Sequence, residues 1–235
     1  MKICNSNFRN KKIFQNIAIS HRPSWKEFSR CPDQYVGHVS VTNNTTSNPP
    51  SSSSGDDFLT RKNIACFSQV SHPTIFLVLE SPHKEEYKGH TPRPAAGRSI
   101  STAGGGIREL FSEVCPLQNY LPSGDFGLVI VNSVQYPCAL GDIDKYRDDV
   151  FLECWHDFGE ANFGSRIRKL YKPGDIIINA CTKGKKRLRD LVDAALCANA
   201  TTPHLRVFHP CNWSRTYNTA NAQGITANYS WTPGP

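Results

Sequence analysis

Six consecutive apolar-type residues, Thr74-Ile75-Phe76-Leu77-Val78-Leu79, run straight into Glu80, Ser81, Pro82 and His83. A short, continuous apolar run of this kind reads as a buried strand. Pro82 stops it, so a carboxylate, a hydroxyl and an imidazole are delivered at the strand's C-terminal end. Open α/β sheets gather their ligands at that end. Two further segments repeat the pattern: Leu128 to Val131 runs into Asn132, and Arg206-Val207-Phe208 into His209-Pro210. Three strands that each deliver a polar group at the same end predict one built site.

The rest of the chain fits that frame. Strands are predicted at 74–79, 128–131, 175–180 and 205–208. Helices are predicted at about 104–114, 144–158, 164–171 and 184–198. Such alternation predicts an α/β fold, a three-layer sandwich with a mainly parallel central sheet. Residues 42–56 are low in complexity and rich in Asn, Thr, Ser and Pro, which predicts a disordered loop. The expected organisation is an N-terminal extension over 1–57, carrying a short helix or docking arm, and an α/β domain over 58–235.

Composition limits the partners. A net charge of +7 over 235 residues favours an anionic one. No run approaches the ~18 apolar residues of a membrane helix, and Met1 to Asn5 lacks the apolar start of a signal peptide. The nine cysteines are odd in number and widely scattered, with no Cys-x-x-Cys. That argues for a reducing, cytoplasmic setting rather than a disulfide framework or a zinc ribbon. A monomer is expected.

The loop Gly97-Arg98-Ser99-Ile100-Ser101-Thr102-Ala103-Gly104-Gly105-Gly106 precedes a predicted helix. Glycines there let backbone N–H groups face an anion. No Gly-Lys-Ser/Thr follows, so it is not a P-loop. It does not directly follow a strand, so it is not a dinucleotide fingerprint. A surface loop is the alternative.

Taken in order, these segments resemble the uracil-DNA glycosylase superfamily, nearest to the branches whose first motif reads G-E-A-P-G. Leu79-Glu80-Ser81-Pro82-His83 stands for that motif and Gly97-Arg98-Ser99-Ile100 for G-R-P-F. Val131-Asn132-Ser133-Val134 stands for T-N-x-V, and His209-Pro210-Cys211 with Arg215 for H-P-S and its arginine. Lys172 to Ala180 resembles the intervening K-P-x-x-I-V-x-L-G strand. The resemblance spans about residues 74–215. It implies a monofunctional DNA glycosylase that hydrolyses an N-glycosidic bond and leaves an abasic site.

Such chemistry needs a positioned water, a reader of the base edge and a donor for the departing base. His209 suits the donor, Asn132 the reader, since its amide both donates and accepts, and Glu80 the group that orients or deprotonates water. His83 would border the base pocket. Ser81 and Arg98 would contact DNA. Lys183, Lys185, Lys186 and Arg187 would track phosphates from the start of a helix. Asn212, Trp213 and Arg215 would enter the duplex when a base is flipped. Each also has a plainer structural reading: a cap, an ion-pair partner or a solvated face.

Ile100 stands where the family has a base-stacking Phe, and His83 where it has Gly or Tyr. The expected base is therefore an altered pyrimidine, uracil or a modified cytosine, with defence against phage DNA as one setting. That branch usually holds an iron–sulfur cluster. Cys138 and Cys154 fall in a similar region, but the close N-terminal pair is missing, so no cofactor and no metal are expected. A catalytically silent DNA-binding protein and an enzyme of free nucleosides or nucleotides remain the alternatives.

Overall fold

The computed structural model describes residues 28–41, 62–63, 73–87, 92–95, 103–104, 107, 121–138, 146–200, 204–212 and 230–232. Seven strands form one sheet: β1 (Gln34–Val41), β2 (Lys62–Asn63), β3 (Thr74–Leu79), β4 (Gly124–Asn132), β5 (Ile176–Asn179), β6 (His204–Arg206) and β7 (Ser230–Thr232), in the spatial order β2-β1-β4-β3-β5-β6-β7. The four central strands are parallel; β1 and β7 pair antiparallel at their flanks.

The chain steps outward from β3 to β4, then crosses back over β3 to β5 and β6. Right-handed crossovers place the first connection on one face and the later two on the other. The packing agrees. Ala103, Ile107 and Leu121, from the first connection, pack with Ile75, Leu77, Leu128 and Ile130. Phe76, Val78, Val129, Val131 and Ile177 point the other way, onto helices of the later connections. Alternate strand residues thus serve opposite faces, and both are buried, as continuous apolar strands require.

Those helices are α1 (Arg147–Cys154), a π turn (Trp155–Gly159) that runs directly into α2 (Glu160–Leu170), and α3 (Leu188–Asn199). The predicted break between 158 and 164 is absent. Its glycines serve close approach instead: a Cβ on Gly159 would meet the Cys154 carbonyl oxygen at 3.0 Å, and one on Gly164 the Asn199 side chain at 2.9 Å. Gly164 therefore lets α2 lie against α3. Trp155 stacks on Phe151 at 5.5 Å and leans on Phe163 at 5.9 Å, anchoring the run to the core.

Two expectations need correction. The core begins before Phe58: Phe28 and Cys31 are buried in it, and β1 pairs along β4 from Gln34↔Ile130 to Val41↔Gly124. A register shift between Tyr35 and Gly37 interrupts the alternation that would have marked β1 as a strand. Similarly, α3 starts at Leu188 rather than 184. Gly184 and Arg187 have φ of 62° and 59°, and left-handed residues cannot continue a right-handed helix. The cationic residues therefore occupy a turn. The low-complexity stretch 42–56 lies outside the described residues.

Candidate active site

Between β3 and β5 the direction of strand succession reverses. The carboxyl ends on either side of such a point frame a crevice. The ends are laced together here. The Ser133 N–H donates to the Leu79 carbonyl at 2.7 Å, the Val134 N–H to that of Glu80 at 3.0 Å, and the Ala180 N–H to that of Val78 at 2.8 Å. The Ser133 hydroxyl also donates to the Glu80 carbonyl at 2.7 Å. The Val207 N–H reaches the Asn179 carbonyl at 2.9 Å, carrying the ladder past β6 toward His209. Glu80, Asn132 and His209 are thus placed at or just past the ends of β3, β4 and β6 by a largely backbone ladder.

The Glu80 side chain is buried. Its Oε1 lies 3.6 Å from Arg147 Nε and 3.5 Å from the Ser81 hydroxyl. Its Oε2 is buried without a hydrogen bond of ordinary geometry among the described residues. Burial pushes this carboxyl up to about 7, against the opposing pull of Arg147 and of the Thr182 and Ser81 hydroxyls. Beneath it, the Cys138 and Cys181 thiols are raised by their own burial and then by the Glu80 charge, so they stay neutral.

His209 is shifted the opposite way. Burial, followed by the charges of Arg147, Arg189 and His83, lowers it to about 4, so the ring is neutral near pH 7. Its Nδ1 accepts the Cys211 N–H at 3.3 Å and lies 3.0 Å from the Cys211 thiol. An accepting Nδ1 assigns the proton to Nε2. The ring therefore presents a neutral N–H donor.

Asn132 is fully buried. Its Nδ2 lies 3.7 Å from the Cys31 thiol, and its Oδ1 is an orphaned acceptor among the described residues. Its backbone is clamped from β1 and α2: Arg166 donates to the Asn132 and Ser133 carbonyls at 2.9 and 3.0 Å, while pairing with Asp33 at 2.5 Å. Burial raises Asp33, with Arg166 opposing. The N-terminal segment thus supports the predicted base reader.

Of the other expected residues, Ser81 touches Glu80, and His83 accepts the Glu85 N–H at 3.3 Å while acting electrostatically on His209. Lys183, Lys185, Lys186 and Arg187 are exposed on the turn that begins beside Thr182. Lys186 pairs with Asp149, and Arg187 with Asp190 at 2.5 Å. Arg189, the last cation of that run, is buried: it donates to the Cys181 carbonyl at 2.7 Å and stacks over Phe208. Arg98, Ile100, Trp213 and Arg215, with the Asn212 side chain, lie outside the described residues. Sequence reasoning missed Arg147, Asp148, Thr182, Asp33 and Arg166; no local pattern marks them, because only tertiary packing brings them to the site.

Among the described residues no three His, Cys, Asp or Glu side chains converge in a metal-binding group, and no helix is long and apolar enough to cross a membrane. The described cysteines are free thiols. Comparison with protein-family models, curated proteins and solved structures found no match for this chain.

Proposed function

We propose that this protein is a DNA glycosylase that hydrolyses the N-glycosidic bond of an altered pyrimidine. The observation that carries the reading is a pair of groups at the carboxyl ends of β3 and β6, on either side of β5, pushed in opposite directions: Glu80 up to about 7 and His209 down to about 4. Groups whose environments separate them in this way fall into base and donor roles.

Cleavage leaves positive character on the sugar and negative charge on the base. Ionised Glu80 orients a water molecule and takes its proton as the water oxygen bonds to C1′. The electrons of the broken C1′–N bond pass to the base, and the neutral His209 Nε2–H donates to the base oxygen on which charge collects. The proton held by Glu80 then returns to the departed base. The orphaned Asn132 Oδ1 accepts an N–H from the pyrimidine edge, which satisfies a buried group otherwise costly to leave bare. The base reaches this depth only by leaving the stack. Lys183, Lys185, Lys186 and Arg187 border the Glu80 end of the site and hold the phosphates. Ile100, in place of an aromatic residue, and His83 favour a base bearing an added substituent over plain uracil, which suits a role against phage DNA.

The test is direct. The protein is incubated with single- and double-stranded DNA containing uracil, hydroxymethylated cytosine or glucosylated cytosine, and free base and abasic sites are scored. Release of at least one base is expected, with His209→Ala slower by about 10²–10³, the scale for one lost transition-state donor. DNA binding without release of any base would favour the catalytically silent reading, to which the Glu80–Arg147 ion pair at 3.6 Å lends some support.

A further inference from the structure

Asp148 belongs to no motif, yet it joins three parts of the site. Its Oδ1 accepts Arg147 Nε and Nη2 at 3.1 and 2.9 Å. Its Oδ2 accepts the Lys185 and Lys186 backbone N–H groups at 2.6 and 3.0 Å. Gly184 closes against it: a Cβ there would stand 2.8 Å from Oδ2, and the residue's φ of 62° already disfavours a side chain. The cationic turn is folded around this carboxylate as a backbone nest around an anion. Through Arg147, the same carboxylate reaches Glu80, 3.6 Å from the guanidinium.

We propose that Asp148 is the positioning residue that couples the cationic turn to Glu80, by holding the turn's amides with one oxygen and drawing Arg147 partly away from Glu80 with the other. The proposal rests on the functional reading for its meaning, but its physical content does not. Two acids compete for one guanidinium. Asp148 takes the two short contacts and Glu80 keeps the long one, so Arg147 offsets less of the effect of burial on Glu80, and the Asp148 charge adds to that effect. The groups facing Glu80 are Arg147 and Asp148 from α1, Thr182 and Cys181 after β5, Cys138 after β4, and its neighbour Ser81. Of these, Asp148 is the one anion that also fixes a DNA-facing element. A phosphate seated on the turn would act on the base through this link.

The experiment reads the carboxyl and the turn separately from activity. Glu80 is titrated by carbonyl-carbon NMR, and amide exchange is followed at Lys185 and Lys186. Asp148→Asn should lower the Glu80 titration by about one pH unit, since it removes an anion and returns Arg147 to Glu80. It should also speed exchange at both amides. Arg147→Gln should raise the titration. Adding Asp148→Asn to Arg147→Gln should then move it by less than in the wild-type background, because part of the effect runs through the guanidinium. An unmoved Glu80 titration in folded Asp148→Asn, or fully additive shifts, would overturn the coupling. Should Asp148→Asn fail to fold, Gly184→Ala tests the same contact from the other side: exchange at Lys185 and Lys186 as slow as in wild type would overturn the nest. Shifts as expected in a protein that releases no base would retain the coupling and discard the glycosylase.

Discussion

Two buried carboxyls sit on the same side of the sheet and have opposite fates. Asp193, on α3, is held by Asn179 Nδ2 at 2.6 Å, His204 Nε2 at 2.8 Å and an ion pair with Arg206. Burial works to raise it, but the hydrogen bonds from His204 and Asn179 and the Arg206 charge win, and it lies below the ordinary carboxylate range. Glu80 is about as little exposed, yet its contacts are longer, Arg147 at 3.6 Å and the Ser81 hydroxyl at 3.5 Å, its Oε2 is orphaned among the described residues, and it rises to about 7. Low exposure alone therefore does not set the outcome; the closeness of the partners weighs against it. A satisfied acid holds the fold together, whereas an unsatisfied one is held by the fold in readiness for a proton.

The sharpest way to break this contrast is to make each acid unable to ionise. Glu80→Gln should slow base release by about 10²–10⁴, the usual range for a general base. Its stability at neutral pH should be equal to wild type or higher, because a neutral amide avoids burying charge. Loss of stability with activity retained would exchange the two roles. Asp193→Ala should do the reverse. Removing it leaves Arg206, His204 and Asn179 without their shared acceptor, and breaking such a buried pair costs about 3–5 kcal/mol. Denaturant unfolding measures that loss, while the Glu80 titration should not move. A loss below about 1 kcal/mol, the ordinary yield of a surface pair, would mean the cluster is not acting as a buried one.

The sequence makes Glu80 legible and hides Asp148. Glu80, Asn132 and His209 each end an apolar run, and strand ends in a parallel sheet converge by topology, so a linear pattern carries three-dimensional information. Asp148, Arg147, Asp33 and Arg166 sit in mixed segments, where a charged residue ordinarily marks solvent. Apart from the adjacent Arg147–Asp148 pair, their partners in the site are 33 to 133 residues away, and no periodicity encodes such distances. The central parallel strands were legible for the same reason as the site, since continuous apolar runs need cover on both faces. The strand β1 was not, because its irregular register erases period-two alternation. Glycine misled twice. Gly159 and Gly164 are used for contact inside a helical run rather than for ending it, whereas Gly184, at φ 62°, keeps residues 184–187 as a turn ahead of α3, within a segment that reads as helix by its charges and leucines.

The finest test of the contrast is the pH dependence of stability, where the site's two groups should nearly cancel. Glu80 binds its proton more tightly when folded, at about 7 against an ordinary 4.5. Its contribution is complete below pH 4.5 and is lost as pH rises toward 7. His209 binds its proton less tightly when folded, at about 4 against 6.5. Its contribution is complete above pH 6.5 and is lost as pH falls toward 4. Each shift corresponds to roughly 3.5 kcal/mol at most, from about 1.4 kcal/mol per pH unit. The signs are opposite and the windows overlap, so between about pH 4.5 and 6.5 the two contributions should nearly cancel in wild type. Glu80→Gln exposes the His209 limb, and stability should climb with pH across that interval. His209→Asn exposes the Glu80 limb, and stability should decline. Asp193 adds no slope there, because its lowered value confines its loss to more acid solution. Denaturant midpoints for the three proteins at half-unit steps of pH decide the matter. Parallel curves for wild type and Glu80→Gln would mean that the two environments do not oppose each other, and the assignment of Glu80 as base and His209 as neutral donor would lose its physical ground.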